Sequence, residues 1–597
     1  MEKVHNYYQN TIEAYTRRVD NLQKKIHLFG TIRLLIVIVA IINIWVLKDM
    51  DWKILAGIFL LYAIPFAVLM FYHSLLSNRK TYAEALIRLC SDELKGLNYD
   101  FSAFDGAPEK IDGEHSFSLD LDIFGNRSFF QSINRTVTHI GKELLINWLS
   151  NPLTNKADIL KRQEAVKELS TLSHLRQHFY VTGTLQPGKK NDSRLLSDLS
   201  KLPAYFSKNL FWKTSVWLIP CFWLLAIIAL GFNLIHPTVF SILFVLSFLI
   251  AYSKLKKINE IHNTVNKMEK IFATYARLMK SIEGDSYKSE LLSDLSNKLI
   301  CDNIAASQAV KKLSSHIGTM DQRGTLTAVL LNIFTFRDIR AAIAIEKWNQ
   351  TYGKHIDQWF DALANFDALC SLSGFYFNHP DYMFPEIADS YFEMSGKALG
   401  HPLIPRNACV KNDISIEKNP WFLIITGANM AGKSTYLRTI GINFLLACIG
   451  APVCAEKLSV YPAQLVTSLR TSDSLVSNES YFFAELKRLK MIIDRLKEGE
   501  ELFIILDEIL KGTNSVDKQK GSFALMKQLI TYNTCGIIAT HDLALGTLEE
   551  EFPNQIKNYR FEADITNNEL TFSYLLREGV AQNMNASFLM KKMGITI

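Results

Sequence analysis

Four residues in the last third of the chain have the types and spacing to hold a phosphate chain. Gly427, Gly432, Lys433 and Ser434 fall as G-x-x-x-x-G-K-[ST] inside WFLIITGANMAGKST, residues 421–435. Glycines at the two ends of such a loop let backbone N–H groups turn inward onto phosphate oxygens. Ala428, Asn429, Met430, Ala431 and Thr435 supply the rest of that cradle. Lys433 brings a point charge for the terminal phosphates, and the Ser434 hydroxyl suits a Mg²⁺ position.

Two carboxylates answer this loop. Asp507 and Glu508 follow the apolar run Leu502-Phe503-Ile504-Ile505-Leu506. At the end of a buried strand, Asp507 can hold Mg²⁺ through water and Glu508 can polarise an attacking water. His541 closes a third apolar strand, 536–540, where it suits a sensor of charge developing on the γ-phosphate. Ser480 opens an amphipathic stretch. By residue type alone it is an ordinary helix N-cap, although its hydroxyl and the helix-end amides can also face a nucleotide. These residues predict an ATP and Mg²⁺ site with Glu508, His541 and Lys433 as catalytic groups and Ser434 and Asp507 as metal positions.

Such side chains act together only if strands carry them to one edge. The run 422–425 predicts a buried strand before the loop. A helix over 433–449 would point its positive dipole end at the same anions.

Further upstream the chain changes character. At 597 residues it is too long for one core. Hydrophobic residues make up 48% and mean hydropathy is +0.07, high for a soluble protein. A net charge of +6, from 65 basic and 59 acidic residues, is too mild to argue for nucleic acid by itself. The eight cysteines include no C-x-x-C pair and predict buried reduced thiols, not a zinc or disulfide framework.

Apolar runs at 28–47 and 54–72 predict a transmembrane hairpin, with Arg33 snorkelling to the interface. A second hairpin is predicted at 214–235 and 238–252, the latter short for a span. Lys24, Lys25, Arg79, Lys80, Lys208, Lys213, Lys254, Lys256 and Lys257 flank the outer ends of both. The positive-inside rule then places the termini and the 80–210 segment in the cytoplasm. Buried core helices are the alternative reading of these runs. The spacing of Ile258, Ile261, Val265, Met268, Phe272, Tyr275, Met279 and Ile282 predicts one long amphipathic helix with a heptad-like seam. The apolar run 326–336 is too short to span and predicts a buried helix.

The motifs also carry a resemblance. TGANMAGKST is similar to the phosphate loop of MutS-type mismatch-repair ATPases. Asp507-Glu508-Ile509, followed by Gly512-Thr513-Asn514-Ser515 and Asp517, resembles that family's acidic strand and loop. Thr540-His541 resembles its histidine switch, and Ser480-Tyr481-Phe482 with Glu485 its signature segment. Upstream, Asn134-Arg135-Thr136, Gly141, Leu144-Leu145, Trp148-Leu149, Pro152-Leu153 and Arg162-Gln163 resemble the start of the MutS lever domain. Gly400-His401-Pro402 is similar to the entry to its ATPase domain. The resemblance implies a homodimer, with Ser480 completing the nucleotide site of the opposite subunit, and DNA as the gripped partner. Nothing before residue 118 resembles the mismatch-reading domain, and Leu510-Lys511 stands where the family usually has Gly-Arg.

The expectation is therefore a multidomain chain: transmembrane helical hairpins, an all-α lever domain, and a C-terminal α/β P-loop (ABC-type) ATPase domain. The divisions are 1–80 for the N-terminal helix and first hairpin, 81–210 and 254–395 for the lever, 211–253 for the second hairpin, and 396–597 for the ATPase domain. The function expected is a multi-pass ATPase of the cytoplasmic membrane, held in lipid by four transmembrane helices, with its ATPase domain in the cytoplasm. It would hydrolyse ATP at a dimer interface and move helical levers on DNA. The alternative is an ATP-driven module acting on a protein or membrane partner without DNA.

Overall fold

The computed structural model describes residues 1–185, 204–266, 268–301, 303–428, 430–470, 481–511, 513–532, 534–566 and 569–582. Two site candidates, Asn429 and Ser480, lie outside the described residues.

Two very long helices open the chain, α1 (Glu2–Val46) and α2 (Trp52–Leu97). At about 1.5 Å per residue each is about 68 Å long. Asn43 donates to the Tyr62 hydroxyl at 2.6 Å and Phe29 stacks on Tyr72, so the two run antiparallel. Their outer ends bury Val4, Tyr8, Leu86, Leu89 and Cys90 together with Val181. The other halves expose Leu34, Ile41, Trp45, Phe59, Leu61 and Phe71. The apolar runs 28–47 and 54–72 are thus halves of longer helices whose remaining turns are stems docked on the helical region.

A second apolar pair follows, α3 (Leu210–Gly231) and α4 (Pro237–Tyr252), and α5 (Leu255–Val265) leaves α4 at a bend of 51°. Among the described residues three helices, α1, α2 and α3, are by themselves long and apolar enough to cross a membrane. A fourth arises only if α4 and α5 count as one bent span.

All eight residues of the predicted seam are buried. The single helix expected there is two, however. Asn266 turns to an extended ψ of 134° after α5, and α6 (Glu269–Glu283) begins three residues later. The apolar phase survives the break, which is why spacing alone did not show it. A second correction concerns the run at 326–336. After α7 (Ala306–Asp321), α8 (Leu326–Thr335) buries Ala328, Asn332 and Ile333 but exposes Leu326, Leu330 and Leu331. A helix apolar all round carries no sequence signal for which face is covered.

The spine of the helical region is α10 (Ile356–Asn378), preceded by α9 (Arg337–Tyr352). Within α10 the carboxylate of Asp367 is wholly buried. It accepts from the N–H groups of Val137 and Thr138 and from the Thr138 hydroxyl, at 2.6–3.1 Å. This contact pins the segment leading into the helix His139–Ser150.

The C-terminal domain is built on a six-stranded sheet: β1 (Trp421–Gly427), β2 (Gln464–Ser468), β3 (Leu502–Asp507), β4 (Cys535–Thr540), β5 (Ile556–Phe561) and β6 (Arg577–Glu578), in the order β6-β5-β1-β4-β3-β2. Only β6 is antiparallel. β1, β3 and β4 are buried on both faces, as a parallel sheet covered by helices requires. One face, with Leu423, Ile425, Phe503 and Ile505, packs on α11 (Lys433–Cys448). The other, with Phe422, Ile424, Ile504 and Leu506, packs on α12 (Tyr481–Lys497). Ala539 of β4 pairs with both Ile425 of β1 and Asp507 of β3, which levels the carboxyl ends of the three strands. Side chains following these strands meet at one edge, the usual ligand-binding edge of such sheets.

Candidate functional site

The loop after β1 depends on its two glycines. Gly427 has φ +154°, and a Cβ there would lie 2.4 Å from the Phe561 carbonyl oxygen; Gly432 has φ +110°. The helix α11 begins at the next residue, Lys433. Lys433 Nζ donates to the carbonyls of Gly427 and Ala428 at 2.8 and 2.9 Å and lies 3.4 Å from His541 Nδ1. Burial pulls its pKa down to about 8, because losing water disfavours the charged amine. The Ser434 hydroxyl donates to Asp507 Oδ2 at 2.5 Å.

Glu508 follows β3 with φ +52°, a left-handed conformation costing about 1–2 kcal/mol for a residue with a side chain. Its N–H donates to the Ala539 carbonyl at 2.8 Å, which fixes the turn against β4. The carboxylate lies 2.5 Å from His541 Nε2 and 3.5 Å from Lys511 Nζ. The bond to His541 is the main reason its pKa is held down at about 2. The two residues given separate roles by the sequence are therefore paired. Glu508 is ionised, and His541 bridges it to Lys433.

A cleft of about 550 Å³ opens over these groups. Its floor is Ala428, Met430, Gly432, Lys433, Ser434 and Thr435, with Asp507, Glu508 and His541 at one side. Leu399, Ile404, Val410 and Tyr574 form an apolar wall. Ala431 is buried beneath the loop. His401, also lining the cleft, is kept neutral by burial, with its pKa near 4. The arrangement offers a polar floor with one cation and a drier wall, which suits a nucleotide's phosphates and base respectively.

Mg²⁺ fits the donor set. Ser434 and Asp507 present two hard oxygens at one point, and no cluster of three or more metal-ligating residues occurs among the described residues. Mg²⁺ commonly binds through one or two protein oxygens with water and phosphate completing the shell, and it neutralises the charge on those phosphates.

Sequence reading missed one polar contact. Glu485 on α12 is buried and accepts from the backbone N–H groups of Leu510 and of Lys511, the latter at 3.0 Å. It thereby braces the loop that carries Glu508. The resemblance singles out Glu485 within the signature segment, but nothing in the sequence points to its partners 25 and 26 residues away. A second brace joins the helical region to this domain. Asp120 accepts from Thr467 Oγ1 at 2.6 Å and from the N–H groups of Leu469 and Arg470. Arg488 of α12 donates to the carbonyls of Glu114 and His115 at 3.0 and 2.8 Å.

Residues 423–592 match the family model of MutS domain V, and residues 116–373 match MutS domain III. The chain belongs to the MutS family. Domain V is an ATPase domain, and the phosphate-loop floor of the cleft, with Asp507, Glu508 and His541, lies within the matched MutS residues. Similar proteins include "MutS protein homolog 4" of Homo sapiens, 31% identical over 38% of this chain and 24% of that protein. "DNA mismatch repair protein MutS" of Thermotoga sp. (strain RQ2) is 30% identical over 39% of this chain and 29% of its own length. "DNA mismatch repair protein MSH3" of Candida albicans is 26% identical over 80% of this chain and 54% of its own length. The chain thus spans about a quarter to a half of these MutS relatives. The α1–α2 hairpin lies outside both matched domains, whereas α3 and α4 lie within domain III.

Proposed function

We propose that this protein binds and hydrolyses ATP with Mg²⁺ at a homodimer interface and uses the cycle to move its helical levers on DNA. The observation that carries the hydrolytic part is the meeting of Lys433, Ser434, Asp507, Glu508 and His541 in one cleft. Lys433 and the loop amides would hold the phosphates. Ser434 and Asp507 would hold Mg²⁺. Glu508 would orient the attacking water, with His541 tying its carboxylate to Lys433. The dimer, and Ser480 acting across it, rest on the family resemblance. DNA as partner rests on the relatives, whose names include DNA mismatch repair proteins.

The test is ATP turnover and nucleotide binding by purified protein. Lys433→Ala should lose ATP binding, whereas Glu508→Gln should bind ATP and fall at least a hundredfold in turnover. Unchanged turnover in Glu508→Gln would remove that residue from its role.

A second reading is that the levers act on a membrane or a membrane protein and not on DNA. It is favoured by exposed apolar helices inside the region matching domain III. In both readings α1–α4 hold the chain in the cytoplasmic membrane as a multi-pass protein with the ATPase domain on the cytoplasmic side. This is supported by helix length, exposure of the apolar halves and the flanking basic residues. Binding to duplex, branched and mismatched DNA across a salt series separates the two. Phosphate contacts give a steep salt slope, and its absence for every DNA form would leave the second reading.

A further inference from the structure

The helix α8 has only ten residues, yet it is packed into the apolar α3–α4 hairpin. Trp223 of α3 donates through Nε1 to Ser247 of α4 at 3.1 Å, and the Ser247 hydroxyl donates to the Ile333 carbonyl of α8 at 2.7 Å. Around this buried polar chain, Trp223 packs edge-on against Phe240, Phe244 and Phe334. The three helices form a single apolar unit, held by contacts that no longer need water. On its outward side α8 shows Leu326, Leu330 and Leu331, which are 76%, 44% and 50% exposed.

The base of the unit is basic. Arg340 donates to the Val216 carbonyl at 2.8 Å, and its guanidinium sits 5.5 Å from the exposed ring of Trp217. Lys257 lies 4.2 Å from the Tyr205 ring, drawing the two ends of the α3–α4 hairpin together. Lys208, Lys213, Lys254 and Lys256 are exposed nearby in the chain. Tryptophan beside arginine, with lysines flanking an apolar unit, is the composition of a protein surface at the level of lipid headgroups. At about 1.5 Å per residue, the ten residues of α8 reach about 15 Å, half of a hydrocarbon core of about 30 Å.

We propose that α8 enters the headgroup-proximal half of an anionic bilayer beside α3 and α4, with Leu326, Leu330 and Leu331 against acyl chains and the basic residues against phosphates. This rests on the membrane reading of α3 and α4 and adds a third, leaflet-deep element too short to span. The helical region would then be seated on the membrane through the turns entering and leaving α8, not through the hairpin alone. Movement of α7 and α9 would be felt directly in one leaflet.

The test uses the unmodified full-length protein in phosphatidylcholine–phosphatidylglycerol vesicles. The lipids carry a photoactivatable diazirine either near the acyl carbonyl or at the chain end, and adducts are mapped by mass spectrometry. Residues 326–331 should take the carbonyl-proximal probe and not the terminal one, whereas 224–228 of α3 should take the terminal probe. Adducts on 224–228 with none on 326–331 overturn the proposal and leave the membrane reading standing. Adducts on neither overturn both. Protein–protein crosslinks through 326–331 in place of lipid adducts assign that face to a second copy and overturn the proposal.

Discussion

Lys433 is the most consequential single residue for pH dependence. Its pKa in the free protein is about 8, and phosphate oxygens favour the protonated amine. Binding ATP above pH 8 must therefore take up a proton. ATP affinity should be level below pH 7 and weaken as pH rises through 8, approaching about tenfold per unit until the pKa of the bound form is reached. Titration with a fluorescent ATP analogue at pH 7, 8 and 9 checks this, and equal affinities at pH 7 and 9 would count against a phosphate contact by Lys433. Glu508 sets no limit in that range, because His541 holds its pKa near 2.

At the scale of elements, two buried carboxylates position what others do. Glu485 links α12 to the loop after β3, 25 residues away. Glu485→Ala leaves the buried Leu510 N–H without an acceptor, at about 1–3 kcal/mol, and the half-buried Lys511 N–H at less. Turnover should drop more than ATP affinity, and Glu485→Gln, which retains one acceptor oxygen, should recover part of it. Equal loss in both variants would contradict a bracing role. Asp367 in α10 is a stability element. Burial raises its pKa to about 7 despite the three hydrogen bonds it accepts from Val137 and Thr138. A carboxyl raised in this way contributes most while neutral, and that contribution is lost as pH rises through 7. Denaturant midpoints should fall from about pH 4 to 7 and level off above, and Asp367→Asn should flatten the fall. An unchanged slope would place the pH dependence elsewhere.

For the whole molecule, the braces at Asp120 and Arg488 join the helical region to the ATPase domain on both sides of residues 471–480. In the proposed cycle, a nucleotide-driven movement of α12 would have a short path through these braces to the helical region that carries α3, α4 and α8. The apolar halves of α1 to α4 make a further expectation concrete. After expression the protein should stay with membranes through high salt and alkaline carbonate and be released by detergent. Release by salt alone would show that charge, not burial of apolar helices in lipid, retains it.

Much of this was legible before any fold was known, for reasons that differ by region. The phosphate loop, Asp507-Glu508 and His541 could be read because glycine spacing and apolar strands are local constraints written in a few adjacent residues. The seam from Ile258 to Ile282 gave the right buried face but hid the break at Asn266, since periodicity reports phase and not continuity. The run at 326–336 gave no face at all.

The sequence alone determined which chemistry the cleft can do, because phosphate binding needs particular residue types at fixed short spacing. It also determined that long apolar helices exist. Tertiary structure alone decided which groups pair. Glu508 with His541, Ser434 with Asp507 and Glu485 with the Leu510 amide join residues 25 to 73 positions apart, brought together by parallel strands of matched register and by the helices packed on them. It alone decided which face of α8 is open, because that depends on where α3 and α4 pack and not on any property of α8 itself.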